Sequence, residues 1–199
     1  ARLLELPNGT RRRPTDDQIE VGAVRPTRPP PRRGVSGTQV RTDALCWLPE
    51  APLWLPAPPD VWALLAPVAD LTELVIVGDF LISGENRWTD PLSSLNDLQD
   101  SALRFSGCPG AGRLRQALAL LRTGVESPAE TQTRLLIVNA GLPEPLTCCP
   151  VPVEGRLLHT DLGYPRWRIA IDYEGRYHFE GGVEQARRDN ERHEAMRAA

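Results

Sequence analysis

The chain has 199 residues, 41% hydrophobic and 25% charged, which is enough for one good core or two small ones. No apolar run approaches the roughly 20 residues of a membrane span and the start lacks a signal peptide's apolar core, so a cytoplasmic location and no membrane partner are expected. The net charge of -3 is unevenly spread: residues 1–41 hold nine arginines against four acids, and residues 42–199 hold fourteen against twenty-two. All 23 basic residues are arginine, because the chain contains no lysine. Cys46, Cys108, Cys148 and Cys149 form no C-x-x-C pair, and the adjacent Cys148-Cys149 is poor geometry for a metal or a disulfide, so reduced thiols are expected.

The basic first part contains "RRRPTDD" and "RPTRPPPRR", read as a solvated Pro/Arg-rich loop ahead of a dedicated nucleic-acid arm. Short strands are expected at 18–24 and 34–42. "PPDVWALLAPVA" (58–69) reads as a helix opening at prolines, with Val61, Leu64, Leu65 and Val68 on one face. The run 73–83 fits a buried strand or a core helix, and periodicity does not separate them. Residues 112–124 form an amphipathic helix, with Leu114, Ala117, Leu118 and Leu121 inward and Gly124 as its stop. Ser127 and Glu130 make a capping box that opens a helix with Pro128 at its first position, running to about Ala140 and ended by Gly141. A hairpin turn follows at Glu154-Gly155, then a half-buried strand over 167–174 and a final helix. Trp47, Trp54 and Trp62 read as core or loop-packing residues ahead of a protein-interaction surface.

The strand over 167–174 alternates, with Trp167, Ile169, Ile171 and Tyr173 on one face and Arg168, Ala170, Asp172 and Glu174 on the other. Asp172 and Glu174, two residues apart on that face, bring two carboxylates within a few Å of each other, with Asp161 upstream. Like charges so placed repel, and the usual remedy is a hard divalent cation such as Mg²⁺. The bland alternative is an exposed acidic strand end partnered by Arg168 or Arg176.

Residues 124–199 resemble the PD-(D/E)xK restriction-endonuclease-like superfamily, and within it the very-short-patch-repair-type endonuclease domain of actinobacterial proteins related to AbiEi-type antitoxins. The resemblance runs through "SPAET", "GLPEP", "DLGYP", "IAIDYEGRYH" and "RRDNERHEAM". It implies an α/β (α+β) fold: a mixed-sheet core flanked by helices over 124–199, with a smaller N-terminal α/β region over 1–123. By the resemblance, Asp161 and Asp172 are metal ligands for Mg²⁺ or Mn²⁺, Glu174 stands where the superfamily often has a lysine, and Glu130 is a further ligand or supporting acid. It also makes His178 an acid–base group or phosphate contact, and Arg176, Arg188 and Arg192 nucleic-acid contacts. Each has an alternative: Glu130 as the capping partner of Ser127, His178 in a hydrogen-bonded turn, Arg188 and Arg192 paired with Glu184 or other acids of their helix.

The chain departs from the pattern in three ways. It has no lysine, it reads "IDYEG" where relatives have I-E-x-D-G, and Ala199 follows the last helix where relatives continue with a further strand. No winged helix is evident before the basic segment. The expected function is a metal-dependent DNA endonuclease hydrolysing phosphodiesters with a metal-activated water, with RNA also open as substrate and a homodimer as one mode of action. A decayed nuclease fold, acting as an antitoxin-like or transcriptional DNA-binding regulator, is the alternative.

Overall fold

The computed structural model describes residues 19–29, 31–40, 45–49, 52–84, 89–173 and 182–198. Over these the chain is mixed α/β, and no helix among them is long and apolar enough to cross a membrane. It divides into two compact units, residues 1–82 with 91–121 and residues 83–90 with 122–199.

The first unit begins with a parallel pair, β1 (Ile19–Val24) and β2 (Val35–Val40), with Ile19 opposite Val35. An antiparallel pair follows, β3 (Leu45–Leu48) and β4 (Leu53–Pro56), on which Trp47 faces Trp54 with ring centroids 5.4 Å apart. Both of these indoles are exposed. The expected packing role belongs instead to Trp62, which is fully buried and donates from Nε1 to Leu74 O at 2.8 Å.

Four helices form the core of this unit: α1 (Pro58–Leu65), α2 (Leu71–Ser83), α3 (Leu95–Arg104) and α4 (Ala111–Leu120). α1 opens at two prolines, whose missing N–H groups cost nothing in a first turn. Its inward stripe is Pro59, Trp62, Ala63 and Ala66, not the expected Val61, Leu64, Leu65 and Val68, and Val68 is 73% exposed. The large indole and the small alanines pack closely on one side, and the aliphatic residues move off it. α2 settles the ambiguity of 73–83 in favour of a helix: Asp70 and Glu73 cap it reciprocally, each carboxylate accepting the other's backbone N–H at 2.8–2.9 Å. α3 carries the same device in Ser94 and Asp97. α4 buries Leu114, Ala117 and, at its end, Leu121, but it stops at Leu120, ahead of Gly124.

The buried carboxylate of Asp60 accepts from Ser101 Oγ at 2.6 Å and from Arg104, which ties α1 to α3. Arg113 donates to the carbonyl of Ala66, the C-cap of α1, and to that of Ala69 in the connection to α2. Gly110 (φ +87) caps α4 against the same turn, and a Cβ there would lie 2.6 Å from the Ala66 carbonyl carbon.

The second unit holds α5 (Pro128–Asn139), an antiparallel sheet of order β5 (Leu146–Val153), β6 (Arg156–Tyr164) and β7 (Ile169–Ile171), and α6 (Gly182–Ala198). The expected mixed sheet is antiparallel throughout its described strands. A two-residue turn with Glu154 at φ 45 and Gly155 at φ 77 joins β5 to β6, and a 3-10 turn over Pro165–Trp167 joins β6 to β7. Connections this short make antiparallel neighbours. The expected strand over 167–174 is also corrected. Pro165 starts the turn, Arg168 takes φ 52, and pairing lasts only from Ile169 to Ile171. Trp167 therefore sits in the turn, edge-on to Tyr164 at 5.4 Å.

α5 packs against β6 and α6 against β5. The "GLPEP" segment is tied to α5 by Glu144, which accepts from the fully buried Arg134 at 2.8 Å and from Arg122 at 2.7 Å. Burial alone would raise its carboxyl, but the two guanidinium groups hold it below its ordinary value. All four cysteines are free thiols.

Gly110→Ala combines a left-handed φ with a clash against backbone, so it is expected to destabilise the chain by about 2–4 kcal/mol in chemical denaturation followed by far-ultraviolet circular dichroism. Gly107→Ala, where a Cβ meets nothing within 4 Å, should stay within about 0.5 kcal/mol of wild type. Equal effects at the two positions would refute the packing argument.

Candidate carboxylate site

The site lies where β7 leaves the sheet. In the β6–β7 ladder Leu162 pairs with Ile171, so the next pair outward would be Asp161 and Asp172. The strand pairing ends there, and side chains take over. Asp161 N–H donates to Asp172 Oδ1 at 3.0 Å, and Tyr173 N–H donates to Asp161 Oδ2 at 2.7 Å. Each carboxylate thus satisfies a backbone donor of the opposite segment that a longer ladder would have paired.

Across β6 from Asp161 the β5 ladder steps from Thr147↔Leu162 to Cys149↔Thr160, and Cys148 between them adopts φ 44. Both neighbours of Asp161 therefore depart from regular sheet at the same level. Asp172 collects further donors. Thr160 Oγ lies 2.8 Å from Oδ1, Arg192 Nη2 3.2 Å from Oδ1, and His193 Nε2 3.2 Å from Oδ2. The same Arg192 nitrogen donates to His159 O at 2.7 Å. Burial pushes the Asp172 carboxyl up, but Thr160, the Asp161 amide, Arg192 and His193 outweigh it and hold Asp172 below its ordinary value.

Glu130 arrives from α5. Ser127 Oγ accepts the Glu130 N–H at 3.2 Å, which is half of the expected capping box. The returning half is not made: the Glu130 carboxylate accepts from Glu126 N–H at 2.9 Å instead. With 6% of its surface exposed, Glu130 is pushed up to about 7, first by burial and then by the negative charges of Asp161 and Glu126, against the Glu126 N–H and the Ser127 hydroxyl. Asp161 is raised as well, by burial first, with the Tyr173 N–H and Arg192 opposing and Asp172 and Glu126 adding to it. Asp161 thus feels the charge of Asp172 and contributes its own to Glu130, and burial raises both Asp161 and Glu130 from their ordinary values.

Of the residues expected from sequence, Glu130, Asp161, Asp172 and Arg192 come together. Arg192 pairs with Asp172 across the fold rather than with an acid of its own helix. Asp172 lies just beyond β7, which ends at Ile171, and its expected same-face partner Glu174 cannot be placed beside it because it lies outside the described residues. Glu174, Arg176 and His178 lie outside the described residues, as does the side chain of Arg188 on α6. Thr160, Glu126 and His193 were not anticipated. Thr160 and His193 each adjoin an expected residue, and adjacency on a strand or helix ordinarily points a side chain elsewhere.

Among the described residues no three His, Cys, Asp or Glu side chains converge as a ready-made metal cage. Mg²⁺ does not require one, since it is commonly held by one or two carboxylates with water and substrate oxygens filling the rest. Asp161 and Asp172, hard oxygen donors linked through each other's backbone, fit that demand in chemistry.

The elevated Glu130 sets a pH dependence. Between its ordinary value of 4.5 and about 7 the folded chain holds a proton that the unfolded chain releases, so stability falls as pH rises through that window. Asp161 acts in the same sense, and Asp172, with its lowered value, in the opposite sense at more acid pH. In EDTA, Glu130→Gln should match wild type near pH 5 and exceed its unfolding free energy by about 1–3 kcal/mol at pH 8. A constant difference between the two proteins across that range would refute the assignment.

Compared with protein-family models, with curated proteins and with solved structures, the chain matches none of them.

Proposed function

We propose that the second unit is a restriction-endonuclease-like domain and that the protein is a metal-dependent endonuclease hydrolysing phosphodiester bonds of DNA. The observation that carries this reading is the direct exchange between Asp161 and Asp172 where β6 and β7 part, with the buried Glu130 of α5 close enough to feel the charge of Asp161. Glu130 is buried beside Asp161 and raised to about 7, and strongly perturbed acids in such settings mark functional sites more often than scaffold. The sequence resemblance over 124–199 points to the same chemistry.

Asp161 and Asp172 would hold Mg²⁺ or Mn²⁺, with Glu174 as the further candidate ligand. The ion supplies charge neutralisation at the phosphate and acidifies bound water. Thr160, Arg192 and His193 fix the Asp172 carboxylate in place, as supporting partners of metal ligands do. Glu130, half-protonated near neutral pH, is suited to take up the proton of the attacking water at a carboxylate oxygen. Arg192 keeps a positive charge beside the site throughout, because a guanidinium does not give up its proton.

One observation favours a second reading. Asp172 Oδ1 already receives three donors and Oδ2 faces His193, so the carboxylate is engaged within the protein. A catalytically decayed nuclease fold that binds DNA as a regulator would look the same at this residue.

Calorimetric titration of Mn²⁺ separates the two. The active reading expects binding by wild type that is lost in Asp161→Asn and Asp172→Asn, both still folded. It also expects duplex cleavage to fall at least about a hundredfold in each, more than the 10- to 100-fold usual for groups behind the ligands. Cleavage retained by Asp161→Asn would sink the mechanism. A folded wild type that takes up no Mn²⁺ and binds duplex DNA equally in EDTA would establish the regulator.

A further inference from the structure

The carboxylate site leaves unexplained a strongly basic segment of the first unit. From residue 21 to residue 42 the sequence contains no acid and five arginines. Four of them, Arg25, Arg28, Arg32 and Arg33, fall in the connection between β1 and β2, and all four are exposed. Among the described residues none of the four makes an ion pair or a side-chain hydrogen bond. In a chain of net charge -3 with 26 acids, four guanidinium groups without a carboxylate partner are a departure from the usual mixing of signs on a surface.

The connection is also anchored at several points. Thr27 N–H returns to Val24 O at 3.0 Å, Val35 N–H to Arg32 O at 3.1 Å, and Gln39 Nε2 reaches Thr27 O at 2.8 Å. Pro29 lies directly over Gly37 of β2, where a Cβ would come within 2.5 Å of the Pro29 Cβ. Gly37 is thus the residue that lets the loop lie down on the sheet. Its prolines restrict the backbone further, lowering the entropy lost when a ligand is bound. A solvated loop needs neither anchoring nor a one-signed charge; a surface that grips a polyanion benefits from both.

We infer that the arginines of residues 25–33 form a binding surface for the phosphate backbone of duplex DNA, outside the carboxylate site and independent of base sequence. Arginine is the side chain suited to this, since its planar fork meets two phosphate oxygens at once. Backbone contacts of this kind supply affinity and position without specifying sequence. The inference rests on the nuclease reading only for the identity of the polyanion. It adds a contact region for the nucleic-acid backbone within the first unit.

The test is fluorescence anisotropy of a labelled 20-base-pair duplex with the full chain, in EDTA, from 50 to 300 mM salt. The fourfold variant Arg25→Gln, Arg28→Gln, Arg32→Gln and Arg33→Gln is expected to bind at least about tenfold more weakly at 100 mM salt. The slope of log affinity against log salt should flatten by about 2–4, since each phosphate contact contributes about 0.9. A control variant with the same loss of charge at exposed positions elsewhere, Arg115→Gln, Arg156→Gln, Arg166→Gln and Arg197→Gln, should keep most of the wild-type slope.

Equal losses in the two variants, an unchanged slope in the first, or binding of phosphatidylserine vesicles in place of the duplex would overturn the inference. A parallel cleavage assay with Mn²⁺ keeps the two proposals apart. Wild type that binds through these arginines but never cuts leaves the inference standing and fails the nuclease reading. Cutting that survives the fourfold substitution with unaltered duplex affinity does the reverse.

Discussion

The second unit turns on one exchange: Asp161 and Asp172 each accept a backbone N–H from the other's segment at the point where β6 and β7 part. A sheet that ends must leave donors unpaired, and a half-buried donor without a partner costs about 1–3 kcal/mol. Two aspartates placed opposite each other remove that cost and bring two negative charges together in the same step. Thr160, Arg192 and His193 then gather on Asp172, which brings α6 to the open end of the sheet. The carboxylates are therefore structural first, and any chemistry uses groups whose positions the fold already dictates. This double duty explains why Asp172 is so heavily hydrogen-bonded, and it is why asparagine is a more informative substitution there than alanine.

Glu130 stands in the opposite situation. Ser127 has already capped α5, so the carboxylate is not required at the helix terminus. It turns to Glu126 N–H and is buried beside Asp161, where the protonated form is favoured up to about neutral pH. The comparison with α2 and α3 is instructive, because both of those helices close the reciprocal box that α5 leaves open. The same sequence signal, a capping residue followed three positions later by an acid, serves a helix end in two cases and an electrostatic site in the third. Tertiary surroundings decide between them: Asp97 is exposed on α3, whereas Glu130 faces two further acids.

What was legible in the sequence follows that distinction between local and non-local causes. The start of α5 at Pro128, its end before Gly141, the Glu154-Gly155 turn and the last helix are local events, and each is written in residues next to one another. The helical nature of 71–83 was equally written, in Asp70 and Glu73, although hydrophobic periodicity alone left it open. α3 announces itself by Ser94 and Asp97 in the same way. The inward face of α1 is not legible from its aliphatic residues, because the indole of Trp62, whose N–H meets a buried carbonyl, sets it instead. The strand over 167–174 failed at Pro165 and Arg168, where a turn interrupts a pattern that alternates well on paper. For the site, Asp172 is legible as an acid on the polar face of an alternating segment with Asp161 upstream, and the resemblance implies both as metal ligands. Their direct exchange is not legible, since it depends on the register that the 3-10 turn imposes between residues eleven positions apart.

The absence of lysine narrows what the site can do. In the resembling superfamily a lysine beside the second acid orients water, and an arginine does not replace it as a proton acceptor, because a guanidinium stays charged at any pH a protein survives. Arg192, the cation at this site, spends its Nη2 on His159 O and Asp172 and so acts as a fixed positive charge. His193, next to Arg192 on α6, is held by Asp172. A carboxylate already balanced near neutrality is then the group best matched to a proton that must move, and among the described acids Glu130 is the one so poised. If the protein hydrolyses phosphodiesters, the missing lysine is offset not by another cation but by burying an acid. The cost of that burial appears as the fold's loss of stability as pH rises from 4.5 to about 7.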